Sequence, residues 1–337
     1  MFGKTSTKDV IANVVSQKFK VLKTEGNLNN HIGLPLTLLK LKDHTAVVVE
    51  MGMNHFGEIS LLTNIAKPTM CVITNIGTAH IGNLGSRENI LKAKLEILEG
   101  LKENGEVIIN NDNDLLHAWA SSNKQYNIYT YGIENKSNYN ATNIKEEKIT
   151  SYYINGMPIE NLVNGKHFIY NALSAYAVGD KLGIEKDKIA NGIKSFKLTA
   201  KRMDVLNIKN NIKVINDSYN ASYDSMKAAL EIMKKENGRK IAVLGNMLEL
   251  GDFSQELHKK VGDEVVKNNI DILITVGEYA KEISKRAQEL GLKETIMFDD
   301  IENASNCLKE IMKEGDVILL KASNSMNFSK ILEYIIK

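Results

Sequence analysis

The first residues that could do chemistry stand at the start of the chain, Met1-Phe-Gly-Lys-Thr-Ser-Thr-Lys-Asp9. Gly3-Lys4-Thr5 matches the last three positions of a phosphate-binding loop, G-x-x-x-x-G-K-[ST]. In such a loop backbone amides at a helix N-terminus hold phosphates, the lysine reaches the β- and γ-phosphates, and the hydroxyl meets Mg2+. The upstream glycine and strand of that pattern do not precede Gly3, so the same three residues also read as an ordinary capped helix start. A carboxylate and an imidazole come next. Glu50 ends the run Thr45-Ala-Val-Val-Val-Glu50, and His80 lies in Thr74-Asn-Ile-Gly-Thr-Ala-His-Ile-Gly-Asn-Leu-Gly85, after a second such run. Ligands of open α/β sheets bind beyond the carboxyl ends of strands. Glu50 and His80 are therefore candidate ligands of Mg2+ or of a water relay. Taken singly, Glu50 also reads as a cap partner and His80 as a loop hydrogen bonder.

These side chains need strands to carry them. From residue 213 onward, β-branched runs over 213–216, 241–244, 272–276 and 317–320 alternate with stretches of 3.6-residue period. That alternation predicts a parallel, doubly wound sheet. The earlier part is also α/β. Residues 45–50 and 70–74 are nearly continuously apolar and are expected to be buried central strands. A third strand is expected at 107–110, a helix over 87–101, a hairpin within 152–165, and a helix over 170–182. The domain boundary is placed at 199–204, giving domains 1–200 and 201–337.

Composition narrows the function classes. A chain of 337 residues suits two domains. Its 43% hydrophobic and 25% charged residues are those of an ordinary globular protein. Lys plus Arg number 43 against 41 Asp plus Glu, a net charge of +2, which offers no electrostatic reason for nucleic acid or an anionic membrane as partner. Cys71 and Cys307 fall in different expected domains, so no disulfide is expected and a reducing cytoplasm fits. No apolar run approaches the length of a membrane span or a signal peptide. The Asn- and Lys-rich stretch over 135–148 is read as surface without function. A cytosolic monomer without membrane insertion is expected.

Several blocks, taken in order, resemble the Mur ligases. They are Lys20-Val-Leu-Lys-Thr-Glu-Gly-Asn-Leu-Asn-Asn-His-Ile-Gly-Leu-Pro-Leu36, Glu50-Met-Gly-Met-Asn-His-Phe-Gly-Glu58, Thr74-Asn-Ile-Gly-Thr-Ala-His80 and Lys92-Ala-Lys-Leu-Glu96. Arg202, Asn216-Asp-Ser-Tyr-Asn-Ala221 and Leu244-Gly-Asn-Met-Leu-Glu-Leu-Gly251 follow. The wording is nearest the branch of the family that adds D-alanyl-D-alanine. The resemblance implies a P-loop-type central ATPase domain followed by a Rossmann-like C-terminal domain. It also implies ATP and Mg2+ as cofactors, with a UDP-linked muramoyl tripeptide and D-alanyl-D-alanine as substrates. The implied reaction is amide formation through an acyl phosphate. A same-fold ligase with another amino-acid substrate, and a catalytically silent nucleotide-binding remnant, stand as alternatives.

Residue roles follow from the same resemblance. Gly3, Lys4 and Thr5 would hold the ATP phosphates, with Thr5, Glu50 and His80 as Mg2+ ligands. Lys94 matches a lysine that the family carries as a carbamate, which turns a cation into an oxygen-donor anion suited to a hard metal; Lys92 reads as a surface lysine. Arg202 would reach the γ-phosphate. Asp217 and Asn220 would contact the nucleotide, although by themselves they read as ordinary turn residues. Thr74 and Asn75 would lie near the substrate carboxylate, and His167 and Asn171 near adenine. Four departures from the family pattern stand out: Phe168 for Asn, Tyr223 for Pro, Asn246 for Asp, and Ala322-Ser-Asn-Ser325 for Gly-Ser-Arg-Gly. The last falls in a loop that approaches the incoming dipeptide. The family also places a separate domain before the P-loop to grip the UDP-sugar, and roughly 100 residues of that kind are expected to be missing here.

Overall fold

The computed structural model describes residues 3–147, 149–163, 165–197 and 203–336. Its residues fall into two compact units. One comprises Gly3–Gly77 and Leu84–Lys197, the other Thr78–Asn83 with 203–336.

The first unit opens with α1 (Lys4–Val15), β1 (Val21–Lys23), α2 (Gly33–Leu38), β2 (Ala46–Val48), α3 (Glu58–Ala66) and β3 (Met70–Ile73). The short helix α4 (Ile81–Leu84) starts in the excursion Thr78–Asn83, which belongs to the second unit. The first unit then continues through α5 (Arg87–Leu95), β4 (Glu106–Asn110), α6 (Asp114–Ser122), β5 (Asn127–Gly132) and β6 (Tyr139–Glu146). It closes with β7 (Thr150–Ile154), β8 (Met157–Asn161), α7 (Lys166–Lys181) and α8 (Lys186–Lys194).

Among the described residues its strands form a sheet ordered β3-β4-β5-β6-β7-β8 and a separate pair β1-β2. Strands β3 to β6 run parallel and β6 to β8 antiparallel. Val107, Ile108 and Ile109 of β4 are fully buried, as a strand paired on both sides requires. The β7–β8 hairpin turns on Asn155 and Gly156, at φ 48° and 83°, the left-handed pair of a type I′ turn.

Two expectations need correction here. Residues 45–50 do not make a buried central strand: β2 pairs only with β1, and Val47 is 38% exposed. Nor is β3 central, since it is the edge of its sheet and alternates between buried and half-buried residues. An apolar run marks a fully covered strand only when neighbours lie on both sides, and among the described residues neither strand has them. Two local readings change as well. The Asn-rich stretch at 135–148 contains β6, and the expected helix over 87–101 ends at Leu95 and passes into a 3-10 turn, Glu96–Gly100.

Helix α1 is buried over nearly its whole length. Helices α7 and α8 press close to it because Gly179 and Gly192 carry no side chain. A Cβ on Gly192 would sit 2.8 Å from the Val14 Cα, and one on Gly179 2.8 Å from a Val14 methyl.

The second unit contains β9 (Asp204–Ile208), β10 (Ile212–Asn216), α9 (Tyr223–Lys234), β11 (Lys240–Gly245) and α10 (Ser254–Lys267). It ends with β12 (Ile272–Val276), α11 (Lys281–Glu289), β13 (Thr295–Phe298), α12 (Ile301–Ile311), β14 (Val317–Lys321) and α13 (Ser329–Ile336). The sheet order is β13-β12-β11-β14-β10-β9, parallel except at the β9–β10 edge. It is the expected doubly wound sheet with an antiparallel edge added. Strand order reverses around β14, so the loops after β10, β11 and β14 open together at the topological switch point.

Candidate active site

In the first unit Gly3 has φ 92°, a conformation that a side chain would strain. Its carbonyl accepts the first helical bond from the Thr7 N–H at 2.8 Å, so α1 starts at once on Lys4. Thr5 is buried. The Lys4 Nζ donates to the Met51 carbonyl at 2.9 Å, which brings the candidate phosphate lysine beside Glu50. Glu50 is 6% exposed. Its N–H donates to the Thr24 Oγ1 at 3.0 Å, and its Oε1 accepts from the Asn29 Nδ2 at 2.7 Å. Its Oε2 is buried with no hydrogen-bond partner. A desolvated carboxylate oxygen without a donor is costly, and it is the kind of oxygen that a hard divalent cation takes as a ligand. On that observation the donors here fit Mg2+.

Lys94 is half-buried while Lys92 is exposed. The Lys94 Nζ donates to the Asn75 carbonyl, so Lys94 and Asn75 are brought together at the end of β3. The Asn75 side chain accepts from the Asn113 Nδ2 at 2.9 Å, and Thr74 beside it is half-buried. His167 and Asn171 lie on the first turns of α7. The His167 ring packs 4.0 Å from that of Phe168, which is itself buried in the core. Asn171 faces the start of α1: its Oδ1 accepts from the Thr7 Oγ1 at 2.9 Å, while its buried Nδ2 has no partner.

In the second unit His80 adopts φ 65°, as does Glu249 at 64°. Left-handed backbone is uncommon outside glycine and concentrates at functional sites. The Glu249 carboxylate approaches the His80 Nδ1 to 2.5 Å, but out of line for a hydrogen bond. Among the described residues no three His, Cys, Asp or Glu side chains gather as a metal cluster. Asp217 and Asn220 follow β10 as expected, in the turn before α9. A cavity of about 250 Å3 in this unit is lined by His80, Asn220, Ser222, Leu248, Glu249 and Ser323, among others. Arg202 lies outside the described residues, as does part of the expected boundary at 199–204.

Comparison with known proteins decides the family. A model of the Mur ligase middle domain matches residues 2–179, and one of the Mur ligase glutamate ligase domain matches 201–324. The UDP-N-acetylmuramoyl-tripeptide–D-alanyl-D-alanine ligase of Bacillus subtilis is 39% identical over 99% of this chain and 74% of its own length. The Escherichia coli enzyme of that name is 33% identical over 98% and 74%. The chain belongs to the Mur ligase family. Among solved structures, MurF from Acinetobacter baumannii superposes with a TM-score of 0.91 at 28% identity, over 99% of this chain and 74% of that one. The Thermotoga maritima MurF ligase in complex with ADP superposes at 0.88 with 28% identity, over 99% and 77%.

The structure of this Mur ligase adds supporting residues that the sequence did not announce. Asn29 holds Glu50, and its own carbonyl accepts from the Gly52 N–H at 2.7 Å. A Cβ on Gly52 would lie 2.9 Å from the Asn29 Oδ1, so only glycine allows that approach. Lys8 is buried against the Thr24 carbonyl at 2.7 Å and pairs with Asp9 at 3.1 Å. Burial alone raises the Asp9 carboxyl, but a hydrogen bond from Lys23 and the Lys8 charge outweigh it and hold it below the usual range.

Asp112 accepts from the backbone N–H groups of Ile133, Glu134 and Asn135 at 2.6, 3.0 and 2.7 Å, and from the Tyr170 hydroxyl at 2.8 Å. Those bonds overcome its desolvation and leave its carboxyl low. Asp112 thereby ties the loop after β5 to the helix that bears His167 and Asn171. The string Asn110-Asn-Asp-Asn-Asp114 after β4 was the available signal, since such residues favour capping and turn bonds.

Proposed function

We propose that this Mur ligase adds D-alanyl-D-alanine to UDP-N-acetylmuramoyl-tripeptide at the expense of ATP, a step of peptidoglycan precursor synthesis in the cytoplasm. The observation that carries this reading is the match, over 99% of the chain, to a Bacillus subtilis ligase of that name. Binding of ADP by a structural relative supports the nucleotide part. The tripeptide's terminal carboxylate takes the γ-phosphate to become an acyl phosphate. The dipeptide amine then attacks that carbonyl, and phosphate leaves as the amide forms.

Phosphoryl transfer asks a protein for charge and alignment more than for covalent help. In this reading the domains are 1–200 and 201–337. Gly3, Lys4 and Thr5 hold phosphates, and Lys4 and Arg202 meet the charge on the γ-phosphate. Of the metal ligands that the resemblance implies, Thr5, Glu50 and carbamylated Lys94 belong to the first unit and His80 to the second; each would hold Mg2+, which would supply charge neutralisation. Thr74 and Asn75 face the tripeptide carboxylate. His167 and Asn171 face the base, and Asp217 and Asn220 form the nucleotide side of the second unit. The unpartnered Glu50 Oε2 supports the metal assignment, and the unpartnered Asn171 Nδ2 supports a ligand contact.

The test is phosphate release coupled to mass detection of the pentapeptide product. Release should require the UDP-tripeptide and D-alanyl-D-alanine together. Equal turnover with D-glutamate or L-alanine as the amine, or no product with any amine, would overturn the reading.

A further inference from the structure

We propose that Lys321 is a positioning residue for the turn between β10 and α9: it draws Asp217 inward so that Asn220 is the group presented to the nucleotide. The proposal rests on the nucleotide-facing reading of that turn and changes the role of one of its residues. Lys321 closes β14 and is 1% exposed. A lysine ammonium has three donors, and three acceptors surround this one. They are the Asp217 carboxylate, the Asp217 carbonyl at 3.3 Å and the Asn220 carbonyl at 2.9 Å. The other Asp217 carboxylate oxygen accepts from the Met203 N–H at 3.2 Å. Asp217 is itself 8% exposed. Both of its oxygens therefore have protein partners.

Asn220 is in the opposite situation. Its main-chain carbonyl is held by Lys321, yet its side chain has no hydrogen bond among the described residues and lines the cavity with Ser222 and Ser323. The cation grips the turn at two carbonyls three residues apart, which sets the direction in which the Asn220 amide leaves the backbone. A buried ion pair gives little net stability over an apolar pair of the same size. Geometry is what this pair contributes.

The experiment titrates MgADP into the full chain by calorimetry for Asn220→Ala, for the charge-neutral pair Asp217→Asn with Lys321→Met, and for the three changes combined. Removing both charges leaves no lone buried ion, and a thermal melt confirms folding of each variant. Asn220→Ala and the pair should each weaken MgADP about tenfold, the worth of one lost hydrogen bond. The triple variant should bind no more weakly than either. If the pair does not fold, the equally charge-neutral pair Asp217→Asn with Lys321→Gln carries the same expectation, because the glutamine amide cannot satisfy three acceptors. Wild-type affinity in the folded pair variant, or losses that multiply to about a hundredfold in the triple variant, would overturn the positioning role alone. Wild-type affinity for Asn220→Ala would overturn the nucleotide-facing reading of the turn and this proposal with it.

Discussion

Glu50 shows how one side chain can be committed and available at once. Its Oε1 is taken by Asn29 and its Oε2 is left buried without a donor. Substituting Glu50→Gln keeps the shape but removes the charge that a hard cation needs. In calorimetry, Mg2+ should then no longer strengthen ADP binding, whereas it should in the wild type. Equal strengthening in both would refute Glu50 as a ligand. Lys94 has a test of its own: with labelled bicarbonate the wild type should give a carbamate carbon resonance that Lys94→Ala lacks, and Lys94→Ala should be inactive whatever bicarbonate is added. Asp112 predicts a pH dependence. Its folded-state carboxyl is held low by main-chain N–H groups and Tyr170, so its contribution is complete above the unfolded pKa near 3.9. That contribution fades as pH falls through the lower folded value. Asp112→Asn should cost about 1 kcal/mol at pH 7, modest because the site is half-exposed. Melts at successively lower pH should show that cost shrinking below about pH 4.

At the scale of elements, α1 governs the first unit, because Lys4, the proposed phosphate lysine, starts it and its far end packs under α7 and α8. Gly192 is the close point, where a Cβ would meet the Val14 backbone at 2.8 Å. Backbone cannot rotate aside as a side chain can, so Gly192→Ala should overpack the contact and cost about 1–3 kcal/mol. Urea unfolding should show an earlier midpoint with an unchanged slope. Ser195→Ala, at the exposed cap just after α8, should fall within about 0.5 kcal/mol of the wild type. The C-terminal ends of β10, β11 and β14 do comparable work in the second unit, since the reversal of strand order opens their loops at one place.

Among the described residues, each of the two units has an apolar core of its own. Leu34, Met51 and Leu62 form part of the first, while Val243, Ile318 and Phe328 belong to the second. Calorimetry should therefore resolve more than one transition, since a single two-state description fits chains with one core. Phe328 is 1% exposed, and Phe328→Ala should cost about 3–5 kcal/mol. That loss should appear in one transition and leave the other in place; equal displacement of both would show that the cores melt as one.

Several features were legible from local sequence because local chemistry alone imposes them. The apolar runs of the second unit became its parallel strands, the hairpin expected within 152–165 became β7–β8, and Gly3-Lys4-Thr5 opened a helix. Ordered blocks carried the family and the candidate residues Glu50, His80 and Lys94. Burial and partnership were different. The apolar stretch at 45–50 reads like a core strand, yet β2 has one neighbour and stays half-covered, because a strand's environment depends on chains distant in sequence. Asn29 and Lys321 gave no local sign of importance, since their hydrogen bonds cross 21 and 104 positions of chain. A residue's type states which bonds it can make; only the folded chain decides which partner is within 3 Å, and whether water remains to satisfy what is left over.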